Sequence, residues 1–155
     1  VGQVNGRFLT PIDPFLLDGS DARAAAAFVN GRLAADDLVI AAPTLGWALH
    51  GRVADFQMAA AVEGTATPHL PADLPADRFA FDPRFATARF VVVDNLWHNW
   101  AQPHVPGVTA VLDTVSHTWP LVFSRGDVQI YENPETARPN AQLPAGRPYA
   151  APAQW

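Results

Sequence analysis

The sequence predicts an α/β fold: a three-layer, Rossmann-like sandwich on a mostly parallel sheet of about five strands, with a C-terminal antiparallel hairpin. Three observations predict it. Residues 38–42 (Leu-Val-Ile-Ala-Ala) and Phe90–Val93 are short, continuous apolar runs, as expected of strands covered on both faces. Segments with helical spacing alternate with them, the pattern of parallel strands joined by crossovers. Leu121-Val122-Phe123 and residues 128–131 are two further strand-like runs, separated by the turn-forming Ser124-Arg125-Gly126-Asp127.

Each element follows in order. Residues 1–17, with prolines 11 and 14, read as an extended lead-in. Ser20 is the expected N-cap of a first helix, with Asp21 at its positive end. That helix carries Ala24, Ala27 and Phe28 at core spacing and stops at Asn30-Gly31. Asp36-Asp37 reads as a solvated turn before the strand at 38–42. Pro43 opens a second helix bearing Leu45, Trp47, Ala48 and Leu49, ended by Gly51. A strand near residues 54–58 follows, then a loop over 64–77 with prolines 68, 71 and 75. Asp82-Pro83 starts a helical turn that leads into the Phe90–Val93 strand. Val108, Val111, Leu112 and Val115 mark a helix over residues 108–116. The domain is expected to span residues 18–134, with 135–155 a Pro/Ala-rich tail on the surface or disordered.

Composition narrows the function classes. The chain has 155 residues, 49% of them hydrophobic, enough for one domain with a packed core. It has no cysteine, which removes disulfides, thiolate metal sites and thiol nucleophiles. All 10 basic residues are arginines, a composition with no functional weight here. The net charge is −5 and the arginines are scattered singly, so a nucleic-acid partner is excluded as an expectation. No apolar run approaches the roughly 20 residues of a membrane-crossing helix. The start at Val1-Gly2, without methionine, suggests a fragment of a longer protein.

Residues 89–100 (Arg-Phe-Val-Val-Val-Asp-Asn-Leu-Trp-His-Asn-Trp) hold the leading candidate site, because α/β sheets bind ligands beyond the carboxyl ends of their strands. Asp94 and Asn95 can orient a sugar or another polar ligand there, or cap and complete the turn into the next helix near Trp97. Trp97 and Trp100, three apart, can stack on a sugar ring or pack against the sheet. His98 and His104 beside Asp94 match no standard zinc spacing, and Pro103 is expected to prevent one helix from presenting both. His50, His69 and His117 read as surface or turn residues. Thr44 can donate to a ligand at the start of the second helix. Ser20, Ser116 and Ser124 lack a nucleophile elbow, and the pairs Asp36-Asp37 and Asp73/Asp77 are not placed to converge as an acid–base pair. No catalytic residue, metal or cofactor is expected.

Several motifs occur in a set order: Asp37-Leu38-Val39-Ile40, Gly51-Arg52-x-x-Asp55-Phe56, Glu63-Gly64, Arg78-Phe79, the run from Ala88-Arg89 through Val93-Asp94, and Val128-x-Ile130-Tyr131-x-Asn133-Pro134. Spanning roughly residues 7 to 134, this order resembles the soluble C-terminal region of bacterial polytopic glycosyltransferases related to the dolichyl-phosphate-mannose–protein mannosyltransferases. The resemblance implies a non-catalytic extracytoplasmic α/β domain. Its parent would be a multi-pass membrane enzyme that transfers a sugar from a polyprenyl-phosphate donor. The implied partners are the membrane-embedded portion of that parent and a polyprenyl-linked sugar or an acceptor glycan or protein. The family's catalytic carboxylate lies in a loop with no counterpart here, so Asp36, Asp37 and Asp94 do not inherit that role. The alternatives are a stand-alone small α/β enzyme using Asp94 and His98, and a ligand- or protein-binding module using the edge at 94–100.

Overall fold

The computed structural model describes residues 17–138 except Asp73, together with the backbone of strands β1 (Gln3–Val4) and β2 (Arg7–Phe8), which pair antiparallel. The rest of the expected lead-in, Asp73 of the Asp73/Asp77 pair, and the expected tail from residue 139 lie outside the described residues.

Helix α1 (Gly19–Asn30) starts two residues earlier than the expected cap at Ser20 implies. Its cap is Asp18, whose carboxylate accepts the backbone N–H of Ser20 at 2.8 Å and of Asp21 at 3.1 Å. The Ser20 hydroxyl and these amides hold Asp18 below the ordinary carboxylate range. Strand β3 (Leu38–Ala41) follows, then α2, which is one turn (Pro43–Gly46) instead of a helix to Gly51. Gly51 has φ +87°, a left-handed turn that reverses the chain into β4 (Arg52–Ala54). The expected strand over 54–58 therefore ends at Ala54. Asp55 caps helix α3 (Phe56–Val62) by accepting from the N–H of Gln57 and Met58. Short 3₁₀ turns at Ala76–Arg78 and Phe85–Thr87 interrupt the long connection to β5 (Phe90–Val93).

After β5, a π-helical turn (Trp97–Ala101) runs directly into α4 (Gln102–His104), so Pro103 does not break this helix. The N–H of Gln102 reaches back to the carbonyl of Trp97, and that wider turn leads into the proline, whose missing donor then falls at the change of helix type. Helix α5 (Val108–Thr118) starts beyond Gly107, which has φ +88°. Strands β6 (Leu121–Arg125) and β7 (Val128–Glu132) join through the two-residue turn Gly126-Asp127, with a bulge between Leu121 and Phe123.

The sheet order is β4-β3-β5-β7-β6. β4, β3 and β5 are mutually parallel, β7 runs against β5, and β6 against β7, so β7 alone opposes the common direction. Alternation along the strands divides the interior into two clusters. Leu38, Ile40, Val91, Val93 and Tyr131 meet α3, the π-turn and α5 on one face. Val39, Ala41, Phe90, Val92, Val128 and Ile130 meet α1 and α2 on the other. Burying each large side chain contributes about 1.5–3 kcal/mol, which makes these strands the most firmly held part of the fold.

Candidate functional site

The chain leaves β3 towards β4, then returns across the sheet to place β5 on the other side of β3. The carboxyl ends of β3 and β5 thus flank a switch in winding direction, where open α/β sheets form their ligand crevice. Pairing of Ala41 with Val92 sets the register and brings the segments after both strands together. There the Thr44 hydroxyl donates to Asp94 Oδ2 at 3.0 Å.

Asp94 is 2% exposed. Its Oδ1 accepts the Leu96 N–H at 3.0 Å, so it also caps the turn that follows. Burial pushes its carboxyl above the ordinary carboxylate range, and the bonds from Thr44 and Leu96 oppose that rise. Thr44 is exposed. Because its only proton points inward at Asp94, its oxygen presents lone pairs to solvent. Within the single-turn α2 the Thr44 hydroxyl hydrogen is thus directed to Asp94, across the switch point. Asn95 extends the network by donating from Nδ2 to Asp127 Oδ2 at 2.8 Å, in the β6–β7 turn. At that turn Arg125 is already paired with Asp21 at 2.9 Å. The edge is therefore rich in acceptors and suits hydroxyl donors better than anions.

The aromatic residues expected to stack on a ligand are occupied by the protein itself. Trp97 is 1% exposed and meets Phe56 edge-on, with ring centroids 5.2 Å apart, so the packing reading describes it. Its indole N–H is buried without a hydrogen-bond partner. Trp100 is stacked by two imidazoles, His69 at 6.2 Å and His104 at 5.4 Å. His98 is exposed and turned to Gln102, with Nδ1 3.0 Å from Oε1. Among the described residues, no group of three or more His, Asp or Glu side chains is placed to hold a metal ion.

Two features escaped the sequence reading. Trp47 is 84% exposed, and its indole N–H donates to the carbonyl of Thr44 at 3.0 Å, beside the switch-point edge. Leu45 and Leu49, four apart, are both buried, and that spacing signals that Trp47 between them faces outward. The second is an ion cluster at the other end of the sheet. Arg89, 2% exposed, bonds Glu132 at 2.9 Å and lies 3.8 Å from Asp37. Arg138 clamps the same Asp37 carboxylate through both terminal nitrogens, at 2.7 and 3.2 Å. Asp37 is thus a buried partner, not part of a solvated turn, whereas Asp36 is exposed and pairs with Arg52. The chain also stays attached past residue 134, because Asn133 donates to the carbonyls of Ala86 and Ala88 and Thr136 bonds that of Ala88.

A shallow cleft of about 230 Å³ lies at that same far end, lined by Phe85, Thr118, Trp119, Asn133 and Glu135 among others. Its Asn133 amide is committed to the backbone, so the cleft lacks the oriented polar groups present at the switch point. Among the described residues no helix is long and apolar enough to cross a membrane. No family model matches this chain, and neither a curated protein nor a solved structure matches it.

Proposed function

We propose that this chain is the extracytoplasmic C-terminal domain of a membrane glycosyltransferase using a polyprenyl-phosphate sugar donor, and that it binds a hydroxylated acceptor without catalysing transfer. The order of motifs from Asp37-Leu38-Val39-Ile40 to Asn133-Pro134 supports the family reading. Helices on both sheet faces, with the strand order β4-β3-β5 around the switch, are in keeping with a three-layer Rossmann-like domain. In the proposed setting the domain works at the outer face of the membrane, beside the membrane-embedded portion of its parent.

The observation that carries the binding reading is the Thr44–Asp94 hydrogen bond across the switch point. A buried carboxylate holds an exposed hydroxyl in one orientation, so a ligand hydroxyl meets an acceptor already set in place. Asp94 is a positioning residue and Thr44 the contact. Asp94 and Asp127 favour a neutral glycan here over the phosphate of a carrier. Backbone amide NMR of the whole chain, titrated with methyl glycopyranosides, tests this. The amides of residues 42, 44–47 and 94–96 are expected to shift together and to lose that response in Thr44→Val. An unchanged spectrum at saturating sugar would sink the binding reading.

A further inference from the structure

We infer that Trp47 is the stacking platform for a hexopyranose ring at this edge, an inference that rests on the edge taking a hydroxylated ligand. Of the four described tryptophans, Trp97 is buried, Trp100 is stacked against two imidazoles and Trp119 is half-buried. Trp47 alone offers an open ring, at 84% exposure. Exposing that much of an indole is unfavourable, and an isolated case can be incidental. Two features make this one specific.

The first is orientation. The indole N–H is bonded to the carbonyl of Thr44 at 3.0 Å, which folds the ring back along the single turn of α2 and fixes its tilt. A tryptophan at a lipid interface or protein contact commonly uses its N–H as the polar handle towards the partner. Here that handle is bonded to the chain's own backbone, so the exposed ring offers apolar faces without a free donor. The second feature is the neighbour. The residue that anchors the indole through its carbonyl also carries the hydroxyl oriented by Asp94. One residue thus joins an apolar plate to a hydrogen-bond acceptor. A pyranose has the matching pair, a face of C–H groups for the plate and equatorial hydroxyls at its rim for the acceptor. Trp47 is the one open ring among the described tryptophans, so the contact is one-sided and the affinity weak, roughly in the millimolar range.

The test uses the whole chain, labelled with ¹⁵N and followed through its indole N–H signals. The probes are the methyl pyranosides of mannose, glucose and galactose, with the open-chain alditol mannitol as a control that has hydroxyls but no ring face. At least one pyranoside is expected to shift the Trp47 indole signal while mannitol does not. Trp47→Ala should weaken binding about tenfold, and Trp47→Phe should restore part of it. Because Trp47 is exposed, both variants are expected to fold as the parent chain does. If pyranosides bind and Thr44→Val removes binding while Trp47→Ala leaves it intact, the stacking role is overturned and the edge stands. If mannitol binds as well as the pyranosides, ring recognition is overturned. If no pyranoside binds the parent chain, the binding reading falls with it.

Discussion

Replacing Thr44 by valine removes one hydroxyl and keeps the β-branched shape, so it isolates the bond to Asp94. A hydrogen bond to a charged group contributes about 1.5–3 kcal/mol. Thr44 is exposed and water can partly take its place, so the loss should lie near the lower end, about 1.5 kcal/mol. In a chain of this size that lowers Tm by about 3–6 °C. The effect must also depend on pH, with a definite sign. Burial already holds the Asp94 carboxyl above its ordinary value of 3.8, and the bond from Thr44 restrains that rise. Deleting the bond raises the folded-state pKa further. The extra cost is then fully present at neutral pH, where the carboxylate is ionised. It shrinks as pH falls through the folded pKa, because protonation relieves the buried charge. In acid only a neutral bond, worth roughly 0.5–1 kcal/mol, remains to be lost. Urea unfolding followed by circular dichroism at about pH 7 and about pH 4 measures both values. Asp94→Asn provides the reference, since there the Thr44→Val effect should not vary with pH. A loss of equal size at both pH values, or none at neutral pH, would refute the reasoning.

Further outcomes follow from the same contacts. Trp97→Ala should cost about 3–5 kcal/mol in urea unfolding, and Trp97→Phe far less, because the indole N–H it removes has no partner. Arg89→Ala strands Glu132 and weakens the shell around Asp37, so a loss of about 3–5 kcal/mol is expected; replacement by methionine should recover part of it. Asn133→Ala removes two donated bonds and the one its Oδ1 accepts from Glu135, and should lower stability by about 2–3 kcal/mol without altering any sugar-induced shift at residues 42–47. Gly51→Ala forces a side chain into a left-handed turn only 3.2 Å from the Asp37 carbonyl, and should cost more than about 1 kcal/mol by thermal unfolding.

The fold was legible where the signal is local. Phe-Val-Val-Val at 90–93 is apolar without a break because both sheet faces are covered, and the helix at 108–118 keeps its buried residues at helical spacing. The misreadings have physical causes. Helix α3 resembled a strand because β4 contributes only three residues before Asp55 caps the helix. Pro103 looked like a breaker because a π-turn leaves no trace in residue spacing. At the site, Asp94 and Thr44 were both named, but the bond between them spans 50 positions and depends on strand order. Arg138 and Asp37 are 101 positions apart and equally invisible to pattern. The stacking aromatic was sought at Trp97 and Trp100 because they are near Asp94 in sequence, whereas folding buries one, stacks imidazoles on the other, and leaves Trp47 open.

The clamp of Arg138 on Asp37 also gives the domain a direction. Asp37 immediately precedes β3, so the described chain departs at the amino ends of the parallel strands. It enters at the opposite end, where Asp21 at the start of α1 is tied to Arg125 beside the hairpin turn. Entry and the Thr44–Asp94 edge therefore share one pole of the molecule, and exit occupies the other.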